Sequence, residues 1–359
     1  MCNWMRERCF VAQFCASAEH QTPLFVLMIC FSRYKRNLAH SNRKTATMNR
    51  IPMPLPSRSY YLAVDAGGTK AEFLLADDEQ ELARVRVGSI KTLNTPPEQA
   101  EMNFVSALQQ IEHASGISAP QLTRTCIGTS GFSVPSVVDW LRQQHAARAA
   151  GQLILCGDEE IAFDAAFQGG RGVLALAGTG SNVIGRTADG RRARAGGWGP
   201  VLGDEGSGHW IGLEAVRAIF HSLDQDRPTI LQGEILREWG LESLEQLIQM
   251  GNSVDLRRFA ELTPAVVRCA SRGDDVAVEV LQRAGKELAQ LVQLVVRSIQ
   301  RMEPEAGPPQ IALAGGVLGS IAAVRAGMHA ALAQTWPEIV VATHAVDSVL
   351  GALWRARKG

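Results

Sequence analysis

The stretch that decides the fold is "YYLAVDAGGTKAEFLLAD", Tyr60 to Asp77. Two apolar runs flank a short loop of two glycines and a threonine, and Asp65 ends the first run. The apolar runs predict two strands. A glycine-rich turn between strands exposes successive N–H groups, which can hold phosphate oxygens without obstruction by side chains. The same turn closes many ordinary hairpins, so this stretch alone leaves both interpretations open.

A second stretch, "GVLALAGTGSNVIGRTADGRRAR" at Gly172 to Arg194, repeats this pattern of strand, glycine loop and strand. When it is aligned with the first, Ala66 falls on Ala177 and Gly67 on Gly178. The elements around the two stretches also follow a similar order, which favours duplication over chance. The sequence therefore predicts an α/β protein of two βββαβα units that face each other across a cleft.

The same reading predicts the domain boundaries. A first lobe covers 57–168, and a second lobe covers 169–344 with a helical insertion at about 209–303. A closing helix at 345–357 is expected to pack back on the first lobe. A third glycine turn, "AGGVLG", follows a strand of the second lobe and suits the flat approach of a nucleoside.

The composition excludes some classes of partner. The chain has no net formal charge, which argues against a nucleic-acid partner or a polybasic membrane contact. Cys126, Cys156 and Cys269 are isolated and no CxxC pair occurs, so a zinc or iron–sulfur site has no obvious ligands. Buried free thiols in a reducing cytoplasm are the expectation.

Residues 1–56 differ from the rest because they are basic and hold four of the seven cysteines. Their apolar run "LFVLMICF" is shorter than the roughly 20 residues that a membrane span needs. We predict a disordered extension, and a signal peptide or an organelle transit segment are the alternatives.

The region from about 58 to 357 resembles the superfamily of acetate kinase, sugar kinases, heat-shock ATPases and actin. "DAGGTK", "AGTGS" and "AGGV" stand for its two phosphate motifs and its adenosine motif. Within it, "GGWGPVLGDEGSGHWIG" at Gly196 to Gly212 is similar to the N-acetylglucosamine kinase branch, which is grouped with the BadF/BadG/BcrA/BcrD-type ATPases. The resemblance implies the two-lobed, actin-like (ribonuclease H-like) ATPase fold.

The resemblance also implies ATP and Mg²⁺ as cofactors. Asp65 is suited to orienting hydrated Mg²⁺, a hard cation that keeps most of its waters. Lys70 is a phosphate ligand in this interpretation and a solvated surface lysine in the alternative. The predicted nucleotide contacts are Asp65, Gly67, Gly68, Thr69, Lys70, Gly178, Thr179, Gly180, Gly315 and Gly316.

The family's catalytic base is an aspartate that ends the strand before the interlobe helix, and "LILCGD" places Asp158 there. An alcohol has a pKa far above 7, so a carboxylate has to take its proton as the phosphoryl group arrives. A structural alternative for Asp158 is a helix N-cap. Small residues usually follow this aspartate, whereas Glu159 and Glu160 follow it here. These two acids could raise its pKa or reject anionic sugars.

Sugar contacts are carried over from the family in the same way. Asp204 in "LGDEGSG" matches an aspartate that accepts hydrogen bonds from sugar hydroxyls, a task that suits a carboxylate. A turn role for Asn94 and a surface-acid role for Asp204 are the alternatives. Trp198 either stacks on the sugar or walls the cleft, and the alternative is an ordinary buried tryptophan. The predicted substrate contacts are Asn94, Ser130, Ser181, Asn182, Asp204 and Gly208.

We therefore predict a cytoplasmic, ATP-dependent hexosamine kinase that phosphorylates N-acetylglucosamine or glucosamine at O6, with a homodimer implied by the family. Two alternatives use the same fold. One is an ATPase that drives electron transfer, which would need cysteines for an iron–sulfur cluster. The other is a sugar sensor without catalytic activity. The sequence leaves the identity of the sugar open, because the candidates differ by one hydrogen bond or one small pocket.

Overall fold

Two five-stranded sheets form the centre of the fold in the computed structural model, which describes residues 58–93, 95–253 and 256–359. The extension predicted at 1–56 and the predicted sugar contact Asn94 lie outside the described residues. No helix within the described ranges is long and apolar enough to cross a membrane.

The first sheet has the strand order β3-β2-β1-β4-β5, with β1 antiparallel to β2 and parallel to β4. Its strands are β1 (Tyr61–Ala66), β2 (Lys70–Ala76), β3 (Glu81–Gly88), β4 (Arg124–Thr129) and β5 (Gln152–Cys156). The helices of this part are α1 (Pro97–Ser115), α2 (Pro135–Arg148) and α3 (Asp158–Phe167), with a 3-10 turn at Ala119–Gln121. Proline opens α1 and α2, where its missing N–H costs nothing.

The second sheet repeats the first, with the order β8-β7-β6-β9-β10 and the same alternation of antiparallel and parallel pairs. Its strands are β6 (Gly172–Ala177), β7 (Ser181–Arg186), β8 (Arg192–Gly196), β9 (Ile311–Ala314) and β10 (Val341–Ala345). The predicted duplication and the predicted α/β fold class are confirmed.

The two glycine loops differ by one residue. Ala66 pairs with Ala71 in the first hairpin, whereas Ala177 pairs with Ser181 in the second. The second loop is therefore the tighter one. We expect the conformation of the second loop to depend more strongly on glycine, which has no side chain and accepts unusual backbone angles.

Among the described residues, five helices lie between β8 and β9, and three more follow β9. The first group is α4 (Gly208–Asp224), α5 (Leu231–Trp239), α6 (Leu244–Asn252), α7 (Thr263–Ser271) and α8 (Asp275–Met302), with a 3-10 segment at Leu256–Leu262. The second group is α9 (Gly316–Ser320), α10 (Ala322–Ala333) and α11 (Ser348–Lys358). The apolar run "EIVVAT" at 338–343 is typical of a strand, but β10 begins only at Val341, because a turn at Pro337 closes with a hydrogen bond from Ile339 N–H to the Trp336 carbonyl.

The largest core cluster fills the space between the second sheet and the helices. Helix α8 contributes a continuous apolar stripe along one face, which includes Val280, Leu288 and Val295. On β8, Ala193 and Ala195 pack against this core. Because side chains alternate along a strand, Arg192 and Arg194 lie on the opposite face of the sheet.

Helices α3 and α11 touch backbone to backbone. A Cβ atom on Gly351 would lie 1.8 Å from the carbonyl oxygen of Ile161 and 2.5 Å from the backbone nitrogen of Ala165. Helix α11 also packs on the first sheet, where Leu353 shares a core cluster with Tyr61 of β1. The chain's last helix is thus held against β1, β4 and α3 at once.

Replacing Gly351 with alanine is expected to lower the free energy of unfolding by about 2–3 kcal/mol, since the added methyl group meets backbone atoms that cannot rotate away. For a chain of this size the melting temperature should fall by roughly 5 °C. Thermal unfolding followed by circular dichroism measures the change. Gly233→Ala in α5 is the matched control, because nothing lies within 4 Å of a Cβ there. Equal melting temperatures for the two variants would contradict the proposed close contact.

Candidate active site

The second glycine loop is held by the start of α4. Gly208 N–H donates to the Gly178 carbonyl (2.8 Å) and His209 N–H donates to the Thr179 carbonyl (3.1 Å). Within the loop, Gly178 N–H donates to the Gly180 carbonyl (2.9 Å). Thr179 is exposed at the tip. The three carbonyl groups of the loop are therefore held by hydrogen bonds. The side of the loop that the sequence assigns to phosphate is open.

The first glycine loop is anchored at one carbonyl, where Ser89 Oγ donates to the Gly67 oxygen (3.0 Å). Gly68 is half-buried, and Thr69 and Lys70 are exposed. Asp65 ends β1 directly before this loop. The pKa of Asp65 is raised to about 7, mainly by burial and next by the negative charge of Asp158. Asp65 and Asp158 therefore lie close enough to repel each other.

The raised pKa of Asp65 predicts how stability depends on pH in the ligand-free protein. The folded state binds a proton on Asp65 up to about pH 7, whereas the unfolded state loses it near pH 3.8. Stability should therefore fall as pH rises through that window. Asp65→Asn removes the ionisable group, so the variant should be more stable than the wild type at pH 8, by up to about 4 kcal/mol. The two proteins should be equal near pH 4. Urea unfolding at both pH values measures this, and a difference independent of pH would contradict it.

Asp158 is the first residue of α3 and follows β5. Burial raises its pKa, and the charge of Glu159 raises it further. Its Oδ1 accepts the N–H of Glu159 (2.9 Å). The N-cap position itself belongs to Gly157, so the capping alternative is wrong in its detail. One oxygen stabilises the helix start, and of the two acids that follow Asp158, Glu159 raises its pKa as the sequence suggested.

Lys91 completes the surroundings of Asp158 and was missed in the sequence. Its positive charge lowers the pKa of Asp158, against the effect of burial. Its Nζ donates to Ser130 Oγ (2.9 Å). Lys91 stands three residues before Asn94 in "IKTLNT", and a lysine beside a predicted sugar contact was the signal available.

Asp204 occupies an unusual backbone conformation, with φ of 64° in the left-handed region. Its side chain is buried, and burial raises its pKa. Oδ1 accepts the N–H of Ser181 (3.1 Å). A Cβ on Gly180 would lie 2.9 Å from both carboxylate oxygens. Asp204 is thus seated directly on the second glycine loop, and a strained residue held in this way is typical of functional sites.

The segment after Asp204 is bound to the same loop. Ser181 Oγ donates to the Glu205 carbonyl (2.7 Å). Gly208 is buried. Its carbonyl accepts a hydrogen bond from the hydroxyl of Thr263 (3.0 Å), and its N–H donates to the Gly178 carbonyl. Both backbone groups of Gly208 therefore have partners within this part of the fold.

Asn182 and Glu159 join β7 to α3. Asn182 Nδ2 donates to Glu159 Oε2 (2.5 Å), and that oxygen lies 3.7 Å from a guanidinium nitrogen of Arg194. Within the described residues, Asn182 Oδ1 and Glu205 Oε2 are buried without a hydrogen-bond partner. Buried polar atoms in native proteins nearly always have a partner, so both atoms are candidates for ligand contacts. Glu205 was not among the predicted contacts, although it stands next to Asp204.

Gly315 and Gly316 follow β9 and are exposed. Gly315 has a φ of 86°, and a Cβ there would lie 2.3 Å from the carbonyl oxygen of Ala177. Only glycine fits this position, which adjoins the residue before the second glycine loop. Trp198 is 72% exposed, so the alternative of an ordinary buried tryptophan is wrong.

This chain is similar to a known protein family and to proteins of named activity. The model of the BadF/BadG/BcrA/BcrD ATPase family matches residues 62–354. An N-acetylmuramic acid/N-acetylglucosamine kinase of Clostridium acetobutylicum is 30% identical over 306 residues, which cover 83% of this chain and 98% of that protein. An N-acetyl-D-glucosamine kinase of Dictyostelium discoideum is 25% identical, with 82% of this chain and 97% of that protein covered.

A solved structure shows a similar arrangement. It is a candidate N-acetylglucosamine kinase from Chromobacterium violaceum with a TM-score of 0.63 and 26% identity. The similarity covers 83% of this chain and 99% of that one. The match therefore extends over both lobes and not over a single sheet.

Proposed function

The chain belongs to the BadF/BadG/BcrA/BcrD ATPase family, and from this premise we propose that it is an ATP-dependent kinase that phosphorylates an amino sugar, N-acetylglucosamine or glucosamine, at O6. The observation that carries the proposal is Asp158: a half-buried carboxylate at the start of the interlobe helix, with a lysine and a second aspartate beside it. The names of the curated relatives support the substrate class.

ATP lies between the two glycine loops in this proposal. Loop N–H groups of Gly67 to Thr69 and of Gly178 to Gly180 would hold the phosphates. Gly315 and Gly316 would lie against the nucleoside. A Cβ on Gly178 or Gly316 would have nothing within 4 Å, so open space is present at both positions.

The residues present also fit Mg²⁺. Asp65 is half-buried, and Asp158, Glu72 and Asp347 add negative charge around it. The described part of the chain holds no group of three or more acidic, histidine or cysteine side chains placed so that together they could hold a metal ion. A single carboxylate suits Mg²⁺, which usually retains several waters and binds substrate phosphates. When bound, the ion supplies neutralisation of phosphate charge.

Asp158 supplies the proton chemistry. Its carboxylate accepts the proton of the sugar hydroxyl while the hydroxyl oxygen bonds to the γ-phosphorus and the bond to ADP breaks. Lys91 opposes the effect of burial on the pKa of Asp158, which keeps a larger fraction of the base ionised. Through its hydrogen bond it also fixes the hydroxyl of Ser130 on the same side.

The sugar lies against the segment around Asp204 in this proposal. Asp204 has lone pairs beyond the one used by Ser181, and the unpartnered oxygens of Asn182 and Glu205 add two acceptors. Ring hydroxyls are donors that such acceptors bind. Gly208 would support the second glycine loop, because both of its backbone groups have partners. A sugar contact by Asn94 stays a prediction.

Measuring ADP release from ATP and Mg²⁺ with a panel of hexoses and amino sugars tests the proposal. We expect release that depends on an amino sugar, and mass spectrometry of the product with ³¹P–¹H correlation assigns the phosphorylated oxygen. ATP turnover unaffected by every sugar would instead support the ATPase alternative. The three described cysteines are buried, which speaks against their holding a cluster at a dimer surface. The homodimer and the cytoplasmic location stay predictions.

A further inference from the structure

A cavity of about 290 Å³ lies beside the candidate site. Its walls are the first half of α3, the face of β7 and β8 turned away from the core, and one side chain of α11. Four guanidinium groups and three carboxylates line it, which leaves one positive charge in excess. No role proposed so far uses this space.

In the inner part of the cavity, the acidic and basic side chains already neutralise each other's charge. Asp164 is buried and accepts from Arg355 Nε (2.5 Å), and it lies 3.3 Å from Arg186. Glu160 accepts from Arg355 Nη2 (2.9 Å). Arg186 also lies over the Phe163 ring at 4.5 Å. In this wall of the cavity each carboxylate is paired with a guanidinium group.

The outer part of the cavity is different. Arg192 and Arg194 lie on the same face of β8, and their nearest recorded carboxylate oxygens are 3.9 Å and 3.7 Å away. Both distances exceed that of a hydrogen bond. The two side chains are 68% and 49% exposed. Each guanidinium has five N–H donors in a fork that matches a carboxylate, so this pair retains donors for an anion.

The outer arginines lie one group away from the proposed sugar contacts. Glu159 Oε2 accepts from Asn182 on one side and faces Arg194 on the other. Asn182 and Arg194 also project from neighbouring strands, because Asn182 pairs with Gly196 in the sheet register. Arg194 therefore lies on the side of Asn182 and Glu159 where a substituent of a sugar bound at Asn182 would be its neighbour.

We propose that Arg192 and Arg194 form an anion subsite that binds the carboxylate of an acidic substituent on the amino sugar. These two arginines would be the structural basis for acting on an acidic as well as a neutral amino sugar, the two sugars for which the Clostridium relative is named. This reverses the expectation that Glu159 and Glu160 reject anionic sugars, because arginines face both acids. The inference rests on the proposed kinase function.

The test compares two sugars that differ in one acidic group: N-acetylglucosamine and N-acetylmuramic acid, which carries a lactic acid ether at O3. We measure kcat/KM for both with the wild type, R192Q, R194Q and the double variant. For the acidic sugar we expect a fall of about 10- to 100-fold in the double variant, the range for a lost charge-assisted hydrogen bond. For the neutral sugar we expect little change. R191Q is the matched control, since Arg191 pairs with Asp189 in the turn before β8.

Other outcomes would overturn the subsite. An equal loss for both sugars, or turnover of the neutral sugar alone in the wild type, contradicts it while leaving the kinase intact. Free lactate or inorganic phosphate that alters neutral-sugar turnover in the wild type but not in the double variant would assign the cavity to a separate anion. Failure of the proposed function looks different, because neither sugar would then stimulate ADP release.

Discussion

Asp158→Asn is expected to lower kcat by about 10³-fold while the protein keeps its fold and binds ATP. Removal of a positioned general base costs about 10² to 10⁴ in rate. Asparagine has nearly the same shape, and its side-chain oxygen can still accept the N–H of Glu159 that Asp158 now accepts. Structural and catalytic roles therefore separate in this variant. Steady-state ADP release with a saturating amino sugar gives kcat, and thermal unfolding in the presence of ATP reports binding.

Asp139→Asn is the matched control for this experiment. Asp139 is 72% exposed and pairs with Arg142 on α2, and exposed pairs of this kind contribute little to stability. Its kcat should equal that of the wild type. If Asp158→Asn retained more than a tenth of wild-type kcat, another group would have to take the proton, and the assignment of the base would be withdrawn.

Asp204→Ala should lower kcat/KM for the amino sugar by about 10²-fold or more. Three effects combine: a buried Ser181 N–H loses its acceptor, alanine is forced into a left-handed conformation, and the proposed sugar contact is lost. Because Asp204 is seated on Gly180, KM for ATP should rise as well. A purely sugar-binding residue would leave KM for ATP unchanged, so measuring both constants separates the two roles.

Asp226→Ala supplies the same chemical change at a second left-handed aspartate. Asp226 has a φ of 52° and is exposed in the turn after α4. Its substitution carries the backbone cost without any contact to a glycine loop. Unchanged kinetics for Asp226→Ala and a large loss for Asp204→Ala are expected. Comparable losses would mean that backbone strain alone explains the effect.

Much of the fold could be predicted because its signals are local. The two apolar runs around "DAGGTK" and their counterparts around "AGTGS" define two hairpins, and both form as expected. Glycine and proline mark the turns and helix starts, since few other residues accept those conformations. The two sheets then follow from a single unit used twice.

The rest depends on contacts between distant parts of the chain. Lys91 and Ser130 meet at 2.9 Å although they belong to different connections of the first lobe. Glu159 meets both Asn182 and Arg194 only after α3 packs over the second sheet. The exposure of Trp198 likewise depends on which neighbours reach it. Nothing in the spacing of these residues along the chain encodes such meetings.

The contact between Gly351 and the Ile161 carbonyl has a mechanical consequence. At Gly351 the two helices touch through their main chains, so no side chain lies between Gly351 and Ile161 that would have to change rotamer as one helix turns against the other. A small tilt at such a point needs no repacking, whereas a slide along the helix axis would drive backbone into backbone. The two helices can therefore rotate about this crossing. In such a rotation, residues farther from the crossing move farther. We accordingly expect any movement of α11 against α3 to be a rotation about this crossing and not a slide.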